Sequence, residues 1–503
     1  MALRGDHREC YIPLLRMCDR LAADGVRFKL TVSLSPPLMA MLSDDLLRQR
    51  YRDYLEQLTQ LADKEILRHH GSPEFLELAR MYRRIFHETA VAFDEHYGRD
   101  LVGAFRRLQD AGVLEVITTA ATHGFLPLLR GQPGAVRAQI MTAVDTYAHH
   151  FGKPPEGLWL PECAYYAELE DILADAGIRY FFVDTHGALN ASERPRRGVM
   201  APIACANGVA AFGRDPDSSR QVWSASEGYP GDPECREFYR DVGFDLDPAE
   251  LRPFLPDGVD RAFTGIKYCR ITGGTDQKEP YRPAAAQARA DAHAADFMQR
   301  AMDAVSRHAT TAADRPPQIV ALYDAELFGH WWFEGPLWLD LLIRKLAFDQ
   351  DQVELISPGD YLRRHPNIQC AQPSPSTWGD QGYSTYWLDP GNDWIYRHVH
   401  EAGQRMHGLA TAHADVAAGS LLHRALQQAA RSLLLAQASD WAFIMKTGTA
   451  VDYAYDRIRD HMARFHHLAD AIDSGRIDER ELAALEVMDP IFPQIDYRVY
   501  ASQ

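Results

Sequence analysis

Two segments of this chain carry an apolar run into a carboxylate and follow it with aromatic residues. One is GLWLPECAY over 157–165, with Glu162; the other is IVALYDAELFGHWWFEG over 319–335, with Asp324. Short runs of that composition read as strands, so each segment delivers an acid to a strand end, and Pro161 limits further ladder pairing there. Two carboxylates in an aromatic cleft suit glycoside chemistry. One attacks the anomeric carbon, the other protonates the departing oxygen, and the aromatic faces stack on sugar rings. Taken singly, each acid equally suits a helix N-cap or a strand-end ion pair, the ordinary fate of such residues. The residues alone leave both readings open.

Two further segments could contribute. TTAATHGFLP places His123 after another apolar run, where it could bond a sugar hydroxyl or simply pack. TWGDQGYSTYW carries Trp378 and Trp387 among glycines, a setting less typical of a core than an isolated buried Trp. Rival chemistries find no support. There is no Gly-x-Gly for a dinucleotide or kinase-type phosphate loop. His87-Glu88 lacks the second histidine of a zincin helix, and His398 and His400 lie on a polar helical pattern, so no metal site is expected.

The elements that would position these residues alternate. Strand candidates fall at 28–34, 113–121, 157–160, 180–183, 208–212, 263–269 and 319–323, with helical patterns at 37–62, 73–95, 134–151, 169–176 and 283–308. Such alternation implies parallel strands joined by crossover helices. A barrel is favoured over an open sheet because His123, Glu162, Asp184 and Asp324 each follow a strand, where barrel sites are built. The expected organisation is a β/α-barrel domain over 1–335, with a loop dense in turn residues near 213–235, and a mainly helical domain over 336–503.

The chain has 503 residues, 46% hydrophobic and 24% charged, an ordinary globular balance, and a net charge of −17 from 70 acidic and 53 basic residues. That charge repels phosphate backbones and anionic lipid, so neither nucleic acid nor a membrane surface is an expected partner. Seven cysteines without a Cys-x-x-Cys read as reduced thiols of a cytoplasmic protein. No apolar targeting segment or spanning stretch occurs in the sequence.

At these motifs the sequence resembles glycoside hydrolase family 57, and within it the α-1,4-glucan branching enzymes. The resemblance runs from ECYIPLL at Glu9 to MKTGTAVDYA at Met445, and rests most firmly on WLPECAY and YDAELFGHWWFEG. It implies a distorted seven-stranded β/α barrel with a C-terminal helical domain and a retaining transfer on α-1,4-glucan without metal or organic cofactor. It further implies Glu162 as nucleophile and Asp324 as acid/base. By the same resemblance His123, Trp378, Trp387, Asp440 and, more loosely, Arg236 contact substrate. 4-α-Glucanotransferase or amylase action, or glucan binding without turnover, are the alternatives. The family usually opens on a strand ending in His-x-His-Leu-Pro; the residues ahead of Glu9 carry one histidine, His7, so the edge beside 28–34 is expected to lack that neighbour. A retaining mechanism predicts that a crystal structure with bound maltooligosaccharide will show the Glu162 and Asp324 carboxyl groups roughly 5–5.5 Å apart. A separation of about 10 Å or more would count heavily against the covalent route.

Overall fold

A computed structural model describes residues 7–224, 226–255, 258–309 and 315–501. Among the described residues seven short strands occur in chain order: β1 (Leu30–Ser33), β2 (Leu114–Ile117), β3 (Gly157–Leu158), β4 (Tyr180–Val183), β5 (Ile203–Ala204), β6 (Ala210–Gly213) and β7 (Gln369–Cys370). β1 pairs with β2, while β3, β4, β6, β5 and β7 form a second sheet in that order. A single parallel bridge, Thr118 to Leu158, leads from the β2 segment to β3. β4 lies parallel to both β3 and β6, as strands joined by crossovers do. β4 reads YFFV and is buried on both faces, as parallel strands generally are. Among the described residues no strand pairs with the other edge of β1.

Five expected strands form. The two segments 263–269 and 319–323 do not, and for the first the reason is a competing side chain. Asp241 accepts from the backbone N–H of Thr264 and of Gly265 and from the Thr264 hydroxyl, so a side chain takes donors that a ladder would have used. β5 and β7 were not foreseen; at two residues each they carry no periodicity. The helical pattern at 37–62 forms as two helices, Pro36–Ser43 and Asp45–Arg68, because Asp44 caps the second by accepting from the Leu47 N–H. The loop near 213–235 contains a helix, Pro216–Trp223, capped by Asp215; residue 225 lies outside the described residues.

The chain divides into two compact units that do not follow a boundary at 335. One takes the residues up to Leu30 with Leu42–Leu114 and Asp215–Ile356; the other takes Thr31–Met41, Glu115–Arg214 and the chain from Ser357 onward. In the first, the helices Pro283–Ala309 and Gly335–Phe348 pack together around Trp332, Trp338 and Phe328. In the second, one core joins the strand-borne Leu158, Phe181 and Ala211 to Leu426, Leu433, Ile458 and Phe465 of the C-terminal helices. The expected C-terminal helices are present as Leu421–Ala436, Ser439–Thr447, Val451–Asp473 and Glu479–Met488. No helix among the described residues is long and apolar enough to cross a membrane.

One buried histidine ties this helical core to pH. His461 is buried in the helix Val451–Asp473, and its Nε2 accepts from Arg457 at 3.1 Å. Burial, then the charges of Arg457 and Arg464, push its pKa down to about 3. The folded pKa lies below the unfolded value, so the unfolded chain binds the extra proton. This residue's contribution is therefore intact above about pH 6.5 and is lost progressively as pH falls toward 3. Denaturant titrations between pH 7 and 4 should show stability falling with acid, and His461→Gln should flatten that slope.

Candidate active site

Glu162 sits in the second unit on a turn that its own backbone resists. Glu162 has φ 59° and Cys163 φ 49°, two successive left-handed residues without glycine. Each such conformation costs on the order of 1 kcal/mol and persists only where the surroundings impose it. Here the segment 376–378 does so. Tyr165 and Ser376 exchange backbone hydrogen bonds of 2.8 and 3.1 Å. The Glu162 carbonyl accepts from the Trp378 N–H and from the Thr377 hydroxyl, both at 3.0 Å. The Trp378 indole N–H then donates to Glu162 Oε2 at 2.6 Å. The carboxylate is half-buried, held at both backbone and side chain.

His123, the nearest cation-forming group, also has positive φ, 55°. Its Nδ1 lies 2.8 Å from the Ser439 hydroxyl and 3.9 Å from Glu162 Oε1, the latter too long for a hydrogen bond. A buried amide supports this loop. Gln139 accepts from the Thr122 N–H at 3.0 Å and donates to Gln437 Oε1 at 3.0 Å. Gly124 follows because a Cβ there would stand 3.0 Å from Gln139 Nε2. Ser439 was not singled out from the sequence. It lies 316 residues from His123, and nothing in the pattern ties the two.

Around Trp378 the structure adds two residues that sequence reasoning left aside. The Arg214 guanidinium stands over the indole at 5.2 Å, and Trp159 meets it edge-on at 5.4 Å. Arg214 also reaches Asp184 Oδ1 at 3.5 Å, while His186 Nδ1 lies 2.9 Å from Asp184 Oδ2. Asp184, expected at a strand end, thus serves an ion-pair network beside the site.

Trp387 differs from its expected role. It is 2% exposed, stacked on Phe125 at 4.4 Å and packed against Phe443. A ring covered on these sides offers no face to a sugar. An exposed aromatic beside it is Phe443, 41% exposed, with Tyr386 at 5.4 Å from it. Asp440 is exposed in the first turn of the helix Ser439–Thr447, where its charge also suits the helix dipole.

In the first unit, Asp324 precedes the turn Ala325–Leu327 in an extended conformation and is half-buried. The turn is tied down by the Cys10 thiol, which donates to the Ala325 carbonyl at 2.8 Å, and by Tyr323, whose hydroxyl donates to the Ser218 carbonyl at 2.9 Å. Gly329 has φ 110°, and a Cβ there would meet the Glu9 carbonyl oxygen at 1.7 Å. Glu9 also bonds His330 Nδ1 at 2.7 Å and pairs with Arg8 at 2.9 Å. Burial alone would raise the Glu9 carboxyl. Arg8, His330, Arg236 and Lys267 outweigh it and hold the group well below the carboxylate range.

Arg236, expected from the resemblance to contact substrate, is placed by the structure in this buried network. It is 4% exposed, sits over the Phe333 ring at 4.1 Å, and reaches Glu9 Oε1 at 3.5 Å. Its charge is spent inside the protein, organising the segment that carries Asp324. Among the described residues no cluster of His, Cys, Asp or Glu has the form of a metal site, and His400 bonds the Leu128 carbonyl at 2.6 Å.

A β/α architecture with a helical C-terminal extension and the carboxylate of Glu162 beyond a strand end defines a class, and known proteins name it. The model for glycosyl hydrolase family 57 matches residues 7–245, and that for the C-terminal part of 1,4-α-glucan branching enzymes matches 398–500. A 1,4-α-glucan branching enzyme of Thermococcus kodakarensis is 32% identical over 98% of this chain and 74% of its own. An α-amylase of Thermotoga maritima superposes with TM-score 0.92 and 42% identity, covering 100% of this chain and 94% of that one. A family 57 branching enzyme of Pyrococcus horikoshii gives 0.89 and 34%, covering 100% and 92%. The chain belongs to glycosyl hydrolase family 57, with the family's β/α barrel and C-terminal helical domain.

Burial separates two aromatic residues by experiment. Trp387→Ala should destabilise the fold by roughly 3–5 kcal/mol, read as a lowered unfolding midpoint. Phe443→Ala should leave stability within about 1 kcal/mol and weaken glucan binding instead. Equal, small stability effects would show that Trp387 is no core residue.

Proposed function

We propose that this chain is a 1,4-α-glucan branching enzyme, which cleaves an α-1,4 link and transfers the freed segment to a 6-hydroxyl of a glycogen-like glucan. The observation that carries the reading is the match to a branching enzyme over 98% of this chain, joined by the branching-enzyme C-terminal model over 398–500. In this reading Glu162 attacks the anomeric carbon and forms a glycosyl ester. Asp324 protonates the departing oxygen, then takes the proton of the acceptor hydroxyl as the ester is displaced. His123 and the exposed Asp440 are suited to hydrogen-bond sugar hydroxyls, and Phe443 offers a stacking face. Residues 336–503 supply the acceptor side. Seven scattered cysteines without a Cys-x-x-Cys fit a reducing cytoplasm.

A second reading has one observation in its favour, the 42% identity to an α-amylase. Water would then take the acceptor's place, with the same carboxylates. Two signals separate the readings. Branching shortens the linear runs of amylose, so the iodine complex loses absorbance with little release of reducing ends; hydrolysis raises reducing ends in step with that loss. We expect the first pattern. Glu162→Gln should lower the rate by roughly three or more orders of magnitude, about 4 kcal/mol of transition-state stabilisation, while maltooligosaccharide binding persists. Reducing ends rising in proportion would convert the assignment to amylase, and no change in either signal would leave a glucan-binding protein.

A further inference from the structure

Trp378 was expected to offer a ring face to sugar, yet its surroundings suit a different task. The Arg214 guanidinium occupies one side of the indole at 5.2 Å, and Trp159 meets it at 67° and 5.4 Å. What the ring directs at the carboxylate is its edge. Its N–H reaches Glu162 Oε2 at 2.6 Å, a charge-assisted length. A cation over an indole face draws electron density from the ring and makes the N–H a stronger donor. The backbone fixes the same pairing, through the Trp378 N–H and the Thr377 hydroxyl on the Glu162 carbonyl. The two carboxylate oxygens are therefore unequal. Oε2 is held, whereas no hydrogen bond reaches Oε1 among the described residues, His123 Nδ1 standing 3.9 Å away.

We propose that Trp378 is a positioning residue for the nucleophile, its indole N–H holding Oε2 of Glu162 so that Oε1 is the oxygen that attacks. The proposal rests on the glycosyl-transfer reading above. Oε1 bonds to the anomeric carbon as the glycosidic bond breaks. The electron pair of that bond leaves with the departing oxygen, which takes its proton from Asp324. Oε2 becomes the ester carbonyl and goes on accepting from Trp378. When the acceptor hydroxyl attacks the anomeric carbon, its proton passes to Asp324 and the pair of the ester bond returns to Oε1. Fixing one oxygen in this way selects the rotamer that aims the other, which is preorganisation of the attacking group.

The test uses α-maltosyl fluoride, whose fluoride leaves without a proton and whose kcat/KM reports formation of the glycosyl ester alone. Trp378→Phe keeps a ring beside Trp159 and Arg214 but removes the donor. It should lower kcat/KM for the fluoride by roughly tenfold or more, the usual effect of losing a hydrogen bond to a charged group. An acceptor platform would leave that constant unchanged and would alter only the dependence on added maltooligosaccharide. A Trp378→Phe value within about twofold of wild type overturns the proposal. A second measurement is independent of that variant's folding. With 15N-labelled tryptophan, one indole N–H resonance should lie downfield and move upfield in Glu162→Ala; no such shift also overturns it. If the wild-type protein consumes neither α-maltosyl fluoride nor amylose, the transfer reading itself fails, which the resonance shift does not test.

Discussion

The site depends on a stretch of chain forced into a conformation it would not adopt alone. Glu162 and Cys163 are consecutive left-handed residues, and the pairing of 162–165 with 376–378 helps to hold them there. That pairing joins a strand end to a segment more than 200 residues later, across a large loop-closure distance. The reward is directional. A normal strand-to-helix turn would let the carboxylate choose among rotamers, whereas this one delivers it to an indole N–H. His123 repeats the arrangement on a smaller scale, with positive φ and an anchor on Ser439. Strain concentrated at the residues expected to touch substrate, and offset by hydrogen bonds around them, is a common property of functional turns.

The segment bearing Asp324 is held by different means. There the chain 324–334 follows no strand; it wraps over a buried polar network of Arg8, Glu9, Arg236, His330 and Glu334. Burying so many charges costs solvation, and the cost is met because nearly every member has an opposite partner or a hydrogen bond. Lys267 shows what remains unmet. Burial, then Arg236, lowers its pKa to about 8, and the Phe238 ring lies 4.0 Å from its ammonium. Removing one member of such a network would leave another charge buried and unpaired. The network therefore acts as a unit, and Arg236 is bound into it beside the segment that carries Asp324.

Local pattern determined a good deal of this protein. Short apolar runs ending in Glu162, His123 and Asp184 became strands or strand-like segments because burial of alternating elements is a local property of composition. The long helices at 73–91, 133–151, 283–309, 421–436 and 451–473 announced themselves by apolar spacing, and the motifs WLPECAY and YDAELFGHWW led to the family. Tertiary structure decided the rest. No spacing distinguishes a Trp that stacks on Phe125 from one that holds a carboxylate, so Trp387 and Trp378 looked alike until their neighbours were known. The resemblance singled out Arg236, but nothing along the chain showed its partners Glu9 and Phe333, which are remote in sequence. The segment 263–269 had the composition of a strand, but Asp241 claimed its N–H groups from twenty-odd residues away. Propensity and motif are encoded by neighbours along the chain, and so could be read from it. Burial, hydrogen-bond partners and the direction of each side chain belong to contacts between distant residues, which only the folded chain supplies.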